Sequence, residues 1–107
     1  MDELEPESLL TVELEDPVDG TLTVRLSGEL DLSNVERVEA EVAGALSQRP
    51  RRLVVQASKL DFADSSAIAL WLRWAREVEE FELQDLSPLL RRVLTAMGLD
   101  GRLELRP

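Results

Sequence analysis

The chain has no cysteine, no histidine and no tyrosine among its 107 residues, and a single lysine against eleven arginines. Without cysteine there are no disulfides, no thiolate metal ligands and no thiol nucleophile, a usage that fits a reducing compartment. Without histidine there is no Ser-His-Asp triad, no ordinary zinc site and no general base with a pKa near neutrality. No apolar run approaches the roughly 20 residues that a membrane-spanning helix needs. Carboxylates, hydroxyls and guanidinium groups are what remain for chemistry. A binding protein is therefore expected rather than an enzyme, with no cofactor and no metal.

What the chain has in excess is acid. Twenty-two Asp and Glu face twelve Lys and Arg, for a net charge of −10. Eight of the acids (Asp2, Glu3, Glu5, Glu7, Glu13, Glu15, Asp16 and Asp19) fall in the first nineteen residues, where no base occurs. The other fourteen nearly balance the bases. Phosphate repulsion argues against direct nucleic-acid binding. The acidic start reads as a solvated segment, with steering toward a basic partner as the sharper alternative. No basic-apolar-small leader opens the chain, so a cytoplasmic location without membrane insertion is expected. The length suits one domain, which at this size buries roughly 60–70% of its unfolded surface. Residues 1–8 are expected to be a flexible acidic leader and residues 9–107 the folded domain.

Periodicity divides the domain. Leu9–Leu14 alternates loosely, Asp16-Pro17-Val18-Asp19-Gly20 is a turn signal, and Leu22, Val24 and Leu26 alternate with polar residues. These segments predict a hairpin. Ser33 and Glu36 match a capping box ahead of a helical stripe of Val35, Val38, Val42, Ala45 and Leu46. Leu53-Val54-Val55 predicts a short buried strand. Lys59–Asp64 reads as a loop and Ser65–Val78 as a helix, apolar nearly all round. Phe81–Gln84 predicts a strand. Ser87-Pro88 supplies an N-cap and a first-turn proline for a third helix with Leu89, Leu90, Val93, Leu94 and Met97 on its apolar face, closed by Gly98. Leu103–Leu105 allows a last short strand. The order β-β-α-β-α-β-α, with an optional final β, implies an α/β domain with a mixed sheet, antiparallel only in the hairpin.

Three segments carry more than periodicity. They are Ser27-Gly28-Glu29-Leu30-Asp31, Leu60-Asp61-Phe62-Ala63-Asp64-Ser65-Ser66, and Leu86-Ser87-Pro88 followed by Met97-Gly98-Leu99. In this order and spacing they resemble the STAS domain family, and in particular bacterial anti-sigma factor antagonists, over about residues 9–105. That resemblance implies a single STAS-like domain that regulates transcription by binding an anti-sigma factor with serine kinase activity. The unphosphorylated antagonist would hold the anti-sigma factor and free the sigma factor. Phosphorylation of the serine after the loop aspartate would release it, with a phosphatase as the enzyme that resets the switch. The aligned acceptor is Ser65, with Ser66 as the alternative, and Asp31, Asp64, Ser65, Ser66 and Ala67 are the expected partner-binding residues. Where the family has glycine this chain has Ala67, which is tolerable if the position is helical.

Other readings of the same residues stand beside this one. Asp64-Ser65-Ser66 is also a plain helix cap, Asp31 a plain turn residue, and Trp71 and Trp74, on one helical face, core packing or a partner anchor. Residues Ala67-Ile68-Ala69-Leu70 also resemble the STAS subunit of a bacterial phospholipid-transport ABC complex, which docks on an ATPase. A serine hydrolase built on Ser65 and Asp64 would lack a histidine base. A phosphate at Ser65 would be expected to find free amides and the positive end of a helix dipole.

Overall fold

The computed structural model describes residues 9–107. The expected leader, residues 1–8, lies outside them. The elements are β1 (Leu10–Val18), β2 (Thr21–Leu30), α1 (Val35–Leu46), β3 (Arg52–Ala63), α2 (Ser65–Ala75), β4 (Glu80–Gln84), α3 (Pro88–Ala96) and β5 (Leu105–Arg106). They form one five-stranded sheet in the order β1-β2-β3-β4-β5. β1 and β2 are antiparallel and every other neighbouring pair is parallel. The mixed α/β architecture expected from the sequence is the one found.

The hairpin turns on Asp19 and Gly20, with φ of 53° and 79°, between the paired Val18 and Thr21. Positive φ at both central residues is what a two-residue turn matched to strand twist demands, and Asp-Gly supplies it at low cost. The broad turn expected over Asp16–Gly20 is narrower than that. Asp16 and Pro17 belong to β1, at a register shift between Glu15 and Val18. Proline is tolerated there because β1 is an edge strand. Gly28, with φ of 102°, has no such freedom of replacement. A Cβ at that position would stand 1.7 Å from the Leu9 carbonyl oxygen, so only glycine lets β1 close over β2.

Leu22, Val24 and Leu26 on β2, Leu53, Val55 and Ala57 on β3, and Phe81 and Leu83 on β4 form the buried face of the sheet. Val35, Val38 and Val42 of α1 and Ala67, Ile68, Leu70, Trp71 and Trp74 of α2 join them in one core. Trp71 and Trp74 are core residues, not surface anchors. Each large side chain so buried contributes roughly 1.5–3 kcal/mol. Most of the intervening strand residues stay at least partly exposed. Glu82 does not, and its buried carboxylate is answered by the Arg52 guanidinium and by Gln84 Nε2.

Several local expectations are corrected. Lys59–Ala63 is not a loop, because β3 runs to Ala63. Gly28 pairs with Leu60 and Glu29 with Phe62, across register shifts that break the simple alternation. The Ser33–Glu36 capping box does not form. Ser33 Oγ donates instead to Asp31 Oδ1 at 2.6 Å, and Asn34 takes the N-cap position without a side-chain bond to the helix. α2 stops at Ala75 rather than Val78. The amides of Glu79 and Glu80 bond the Arg51 carbonyl, and β4 must begin there to set Phe81 beside Leu53.

α3 matches at its ends and not along its face. Ser87 Oγ accepts from Leu90 N at 3.2 Å. Gly98, at φ of 75°, closes a Schellman pair in which Leu99 N donates to Leu94 O and Gly98 N to Thr95 O. Of the five apolar residues expected on its buried face, only Leu94 is buried and Leu90 partly so. The optional final strand forms as β5, slightly beyond the expected span. Leu103 goes into the core instead.

Candidate functional site

The three sequence motifs converge on the end of the sheet where β2 and β3 deliver the chain to α1 and α2. β2 ends at Leu30 and β3 at Ala63, and these two residues are register partners. The turns that follow them, Asp31–Asn34 and Asp64–Ser66, are therefore neighbours by construction.

Asp64 joins them. It is the N-cap of α2, with an extended backbone at φ −103° and ψ −170°. Its Oδ1 accepts from Ser66 N at 2.9 Å, Ser66 Oγ at 2.5 Å and Ala67 N at 3.2 Å. Its Oδ2 accepts from Leu32 N at 3.1 Å, across 32 residues of sequence. One carboxylate thus caps a helix and pins the opposite turn. Partial burial pushes its pKa up, but the hydrogen bonds from Ser66, Ala67 and Leu32 outweigh burial and hold it below the ordinary carboxylate value of 3.8.

The Asp31 turn has its own bonds. Asp31 Oδ1 accepts from Ser33 N and Ser33 Oγ at 3.0 and 2.6 Å. Asn34 is buried. Its Oδ1 accepts from Asp31 N at 3.0 Å and its Nδ2 donates to Glu29 O at 2.9 Å. Every side chain in the turn except Leu32 is occupied in holding it. Leu32 is 74% exposed, a large apolar side chain presented at a fixed place because its own amide is tied to Asp64.

Ser65 is the first residue of α2 and is exposed. Its hydroxyl makes no hydrogen bond among the described residues. Ser66, by contrast, is half-buried, with its hydroxyl given to Asp64. Ala67 is fully buried. Expected at the partner surface, it lies beneath it, and what it contributes is an amide to Asp64. Its backbone is not among the positive-φ residues, so alanine replaces glycine without strain. The amides of Ser66 and Ala67 are already bonded to Asp64, so they are not free to receive a phosphate as the sequence suggested. The helix dipole is still there to favour one.

The arrangement is a presented hydroxyl, not a catalytic pair. Asp64 bonds Ser66 rather than Ser65, and a carboxylate with a lowered pKa is a poor base. Among the described residues, none bonds the Ser65 hydroxyl.

A family profile described as "Mlab, STAS domain" matches residues 15–107. This chain belongs to the STAS domain family. Its STAS domain is 34% identical, over 84 residues, to the anti-sigma F factor antagonist of Lysinibacillus sphaericus, covering 74% of this chain and 72% of that one. An anti-sigma factor antagonist from Mycobacterium paratuberculosis has the same fold, with a TM-score of 0.84 at 26% identity over 96% of this chain and 89% of that one. SpoIIAA, an anti-sigma factor antagonist solved in its unphosphorylated form, overlays with a TM-score of 0.76 at 30% identity, covering 91% and 88%. The phosphorylated form from Bacillus overlays with a TM-score of 0.70 at 31% identity, covering 91% of each chain. These relatives are anti-sigma factor antagonists by name.

Sequence reasoning passed over Leu32 and Asn34. Leu32 carried a usable signal: one large apolar residue inside an otherwise polar turn, Asp31-Leu32-Ser33-Asn34, has no core to enter. Asn34 had none, because its two bonds depend on where Glu29 and Asp31 come to lie.

Proposed function

We propose that this STAS domain is an anti-sigma factor antagonist whose hold on a kinase-type anti-sigma factor is released by phosphorylation of Ser65. The observation that carries this reading is the state of the Ser65 hydroxyl. It is exposed, unengaged, and fixed at the first residue of a helix whose cap also locks the neighbouring turn. Ser66 is the weaker acceptor because its oxygen is half-buried and already bonded.

In the transfer, Ser65 Oγ attacks the γ-phosphorus of ATP held by the partner. The bond from that phosphorus to the ADP oxygen breaks, and the hydroxyl proton passes to a base of the partner. Because Ser65 Oγ breaks no internal bond in reacting, the domain has no reason to refold. The product adds about −1.5 to −2 charge at pH 7, on a corner that already carries Asp31 and Asp64. In the complex that dianion must be desolvated beside the nucleotide phosphates of the kinase. A cost of ~3–4 kcal/mol there lowers affinity a few hundredfold, at about 1.4 kcal/mol per factor of ten.

The test has two arms. Incubation with the anti-sigma factor and ATP, followed by phosphopeptide mapping, is expected to place one phosphoryl group on Ser65. Modification of Ser66 with Ser65 untouched would overturn the assignment. Ser65→Ala is expected to fold, to bind the anti-sigma factor as tightly as the unmodified chain, and to stay bound in ATP. A native pull-down that returned an ABC ATPase in place of an anti-sigma factor would transfer the domain to the competing role of transporter subunit.

A further inference from the structure

Asn34 stands where a helix cap belongs and does not cap. It occupies the N-cap position of α1, which favours asparagine because the side-chain oxygen can accept an amide of the first turn. Its side chain nevertheless makes no bond to the helix. It turns back into the turn before α1, where Oδ1 accepts from Asp31 N at 3.0 Å and Nδ2 donates to Glu29 O at 2.9 Å. Only 7% of Asn34 is exposed, so it offers almost no surface to a partner. Both halves of a buried amide are thus used to tie Glu29, next to last in β2, to Asp31, the first residue beyond it.

The turn closed by Asn34 leads to Ser65. Leu32 lies between Asp31 and Asn34, so its amide is aimed by that turn. The amide donates to Asp64 Oδ2 at 3.1 Å. The other oxygen of Asp64 accepts from Ser66 N and Ala67 N, and Asp64 N donates to Leu30 O at 3.3 Å. Ser65 follows Asp64 directly, as the first residue of α2. With no hydrogen bond of its own among the described residues, its hydroxyl is placed by the backbone on either side of it. A chain of bonds therefore runs from Asn34 through Asp31 and Leu32 to Asp64, and ends at the backbone that carries the Ser65 hydroxyl.

We infer that Asn34 is a positioning residue for phosphoryl transfer to Ser65: it sets the Asp31–Asn34 turn so that the Leu32 amide holds Asp64, and Asp64 holds the start of α2. The inference rests on the reading of Ser65 as the phosphoacceptor. In that transfer Ser65 Oγ bonds the γ-phosphorus of ATP, the bond to the ADP oxygen breaks, and the hydroxyl proton goes to a base of the partner. Asn34 acts on none of these atoms directly. Its effect passes through Leu32 and Asp64. Transfer is steep in geometry, since a misplacement of about 1 Å can cost on the order of a hundredfold in rate. A hydroxyl whose helix cap is held only from its own helix samples more positions than one whose cap is also held from the neighbouring turn.

The experiment uses the full chain, unmodified and as Asn34→Ala and Asn34→Ser. Serine suits an N-cap but is too short to bridge Asp31 and Glu29, so it separates the turn from the helix. Without a partner, the amide signals of Leu32, Ser66 and Ala67 are followed by NMR through the titration of Asp64. In the unmodified chain all three are expected to move together, at a pKa below the ordinary carboxylate value. In both variants that pKa is expected to rise toward the ordinary value, because the bond from Leu32 is one of those that lower it. With the anti-sigma factor and ATP, kcat/KM for transfer to Ser65 is expected to fall about tenfold in both. Val42→Ala, buried on the same helix but outside the turn, is the control for stability alone. It is expected to lower the urea midpoint and leave the Asp64 titration and the transfer unchanged. The inference is overturned if the Leu32 amide does not follow Asp64 in the unmodified chain, or if the Asn34 variants titrate and react as that chain does. An equal loss of transfer in Val42→Ala also overturns it, since stability would then account for both. Should one Asn34 variant fail to fold, the other and the unmodified titration decide. If the unmodified chain is not phosphorylated on Ser65, the functional reading fails and the inference with it, whereas failure of the inference alone leaves that phosphorylation intact.

Discussion

α2 and α3 begin alike and end up in opposite circumstances. Each follows a strand, each starts at a side-chain cap, and each carries a run of large apolar residues. α2 buries that run beneath the sheet, down to two tryptophans with almost no exposed surface. α3 turns most of its run outward and keeps Leu94 as its one buried residue. The caps differ in the same sense. Ser87 holds one amide of its own helix, whereas Asp64 holds two of its own helix and a third on a distant turn. The helix that presents Ser65 is thus fixed by the core behind it and by the turn beside it. The helix beside it is left free to offer surface.

The largest break in this comparison comes from the core. Trp71→Ala on α2 is expected to cost ~3–5 kcal/mol, a large part of the ~5–15 kcal/mol by which domains are stable. Leu89→Ala on α3 is expected to stay within about 0.5 kcal/mol. Urea unfolding of the two variants measures both. Equal losses would show that α3 packs as tightly as α2.

The caps give a smaller effect. Asp64→Ala removes the bonds to Ser66, Ala67 and Leu32 and is expected to cost about 2 kcal/mol, the upper end for a lost cap. Ser87→Ala loses a single bond, for about 1 kcal/mol. The amide exchange rate of Leu32 sharpens the point. It should rise in Asp64→Ala and stay unchanged in Ser87→Ala.

The smallest effect is the pH dependence, which the two caps do not share. Asp64 has a folded pKa below its unfolded one. Its ionised form therefore stabilises the fold fully above the ordinary carboxylate pKa of about 4, and that contribution fades as pH falls through the folded value. The stability gap between the unmodified chain and Asp64→Asn, read from denaturant midpoints, is expected to narrow on going from about pH 6 to about pH 3. Glu82, whose pKa burial raises and Gln84, Arg52 and Arg106 lower further, adds to acid sensitivity with the same sign in both proteins and cancels in the difference. Ser87 has no proton to lose in this range, so Ser87→Ala should track the unmodified chain at both pH values.

Much of this molecule was legible in its sequence because the signals were local. Asp19-Gly20 makes a tight turn, Ser87-Pro88 starts a helix and Gly98 ends one, since each acts on backbone within a few residues of itself. Alternation in Leu22, Val24 and Leu26 and helical spacing in Val35, Val38 and Val42 set the element types and hence the mixed sheet. Asp64-Ser65-Ser66 was readable as a capped corner for the same reason. Only the tertiary structure decided the rest. The capping box at Ser33 lost to Asp31, whose oxygen competed for the same hydroxyl. β3 ran on to Ala63 because β2 was there to pair with it. Ala67 sank and Leu89 surfaced because burial depends on what stands opposite a residue and not on its own polarity. The bond from Leu32 to Asp64, which makes one site of two turns, belongs to neither segment alone. It exists because parallel pairing ends β2 and β3 side by side, and no spacing within either motif encodes that.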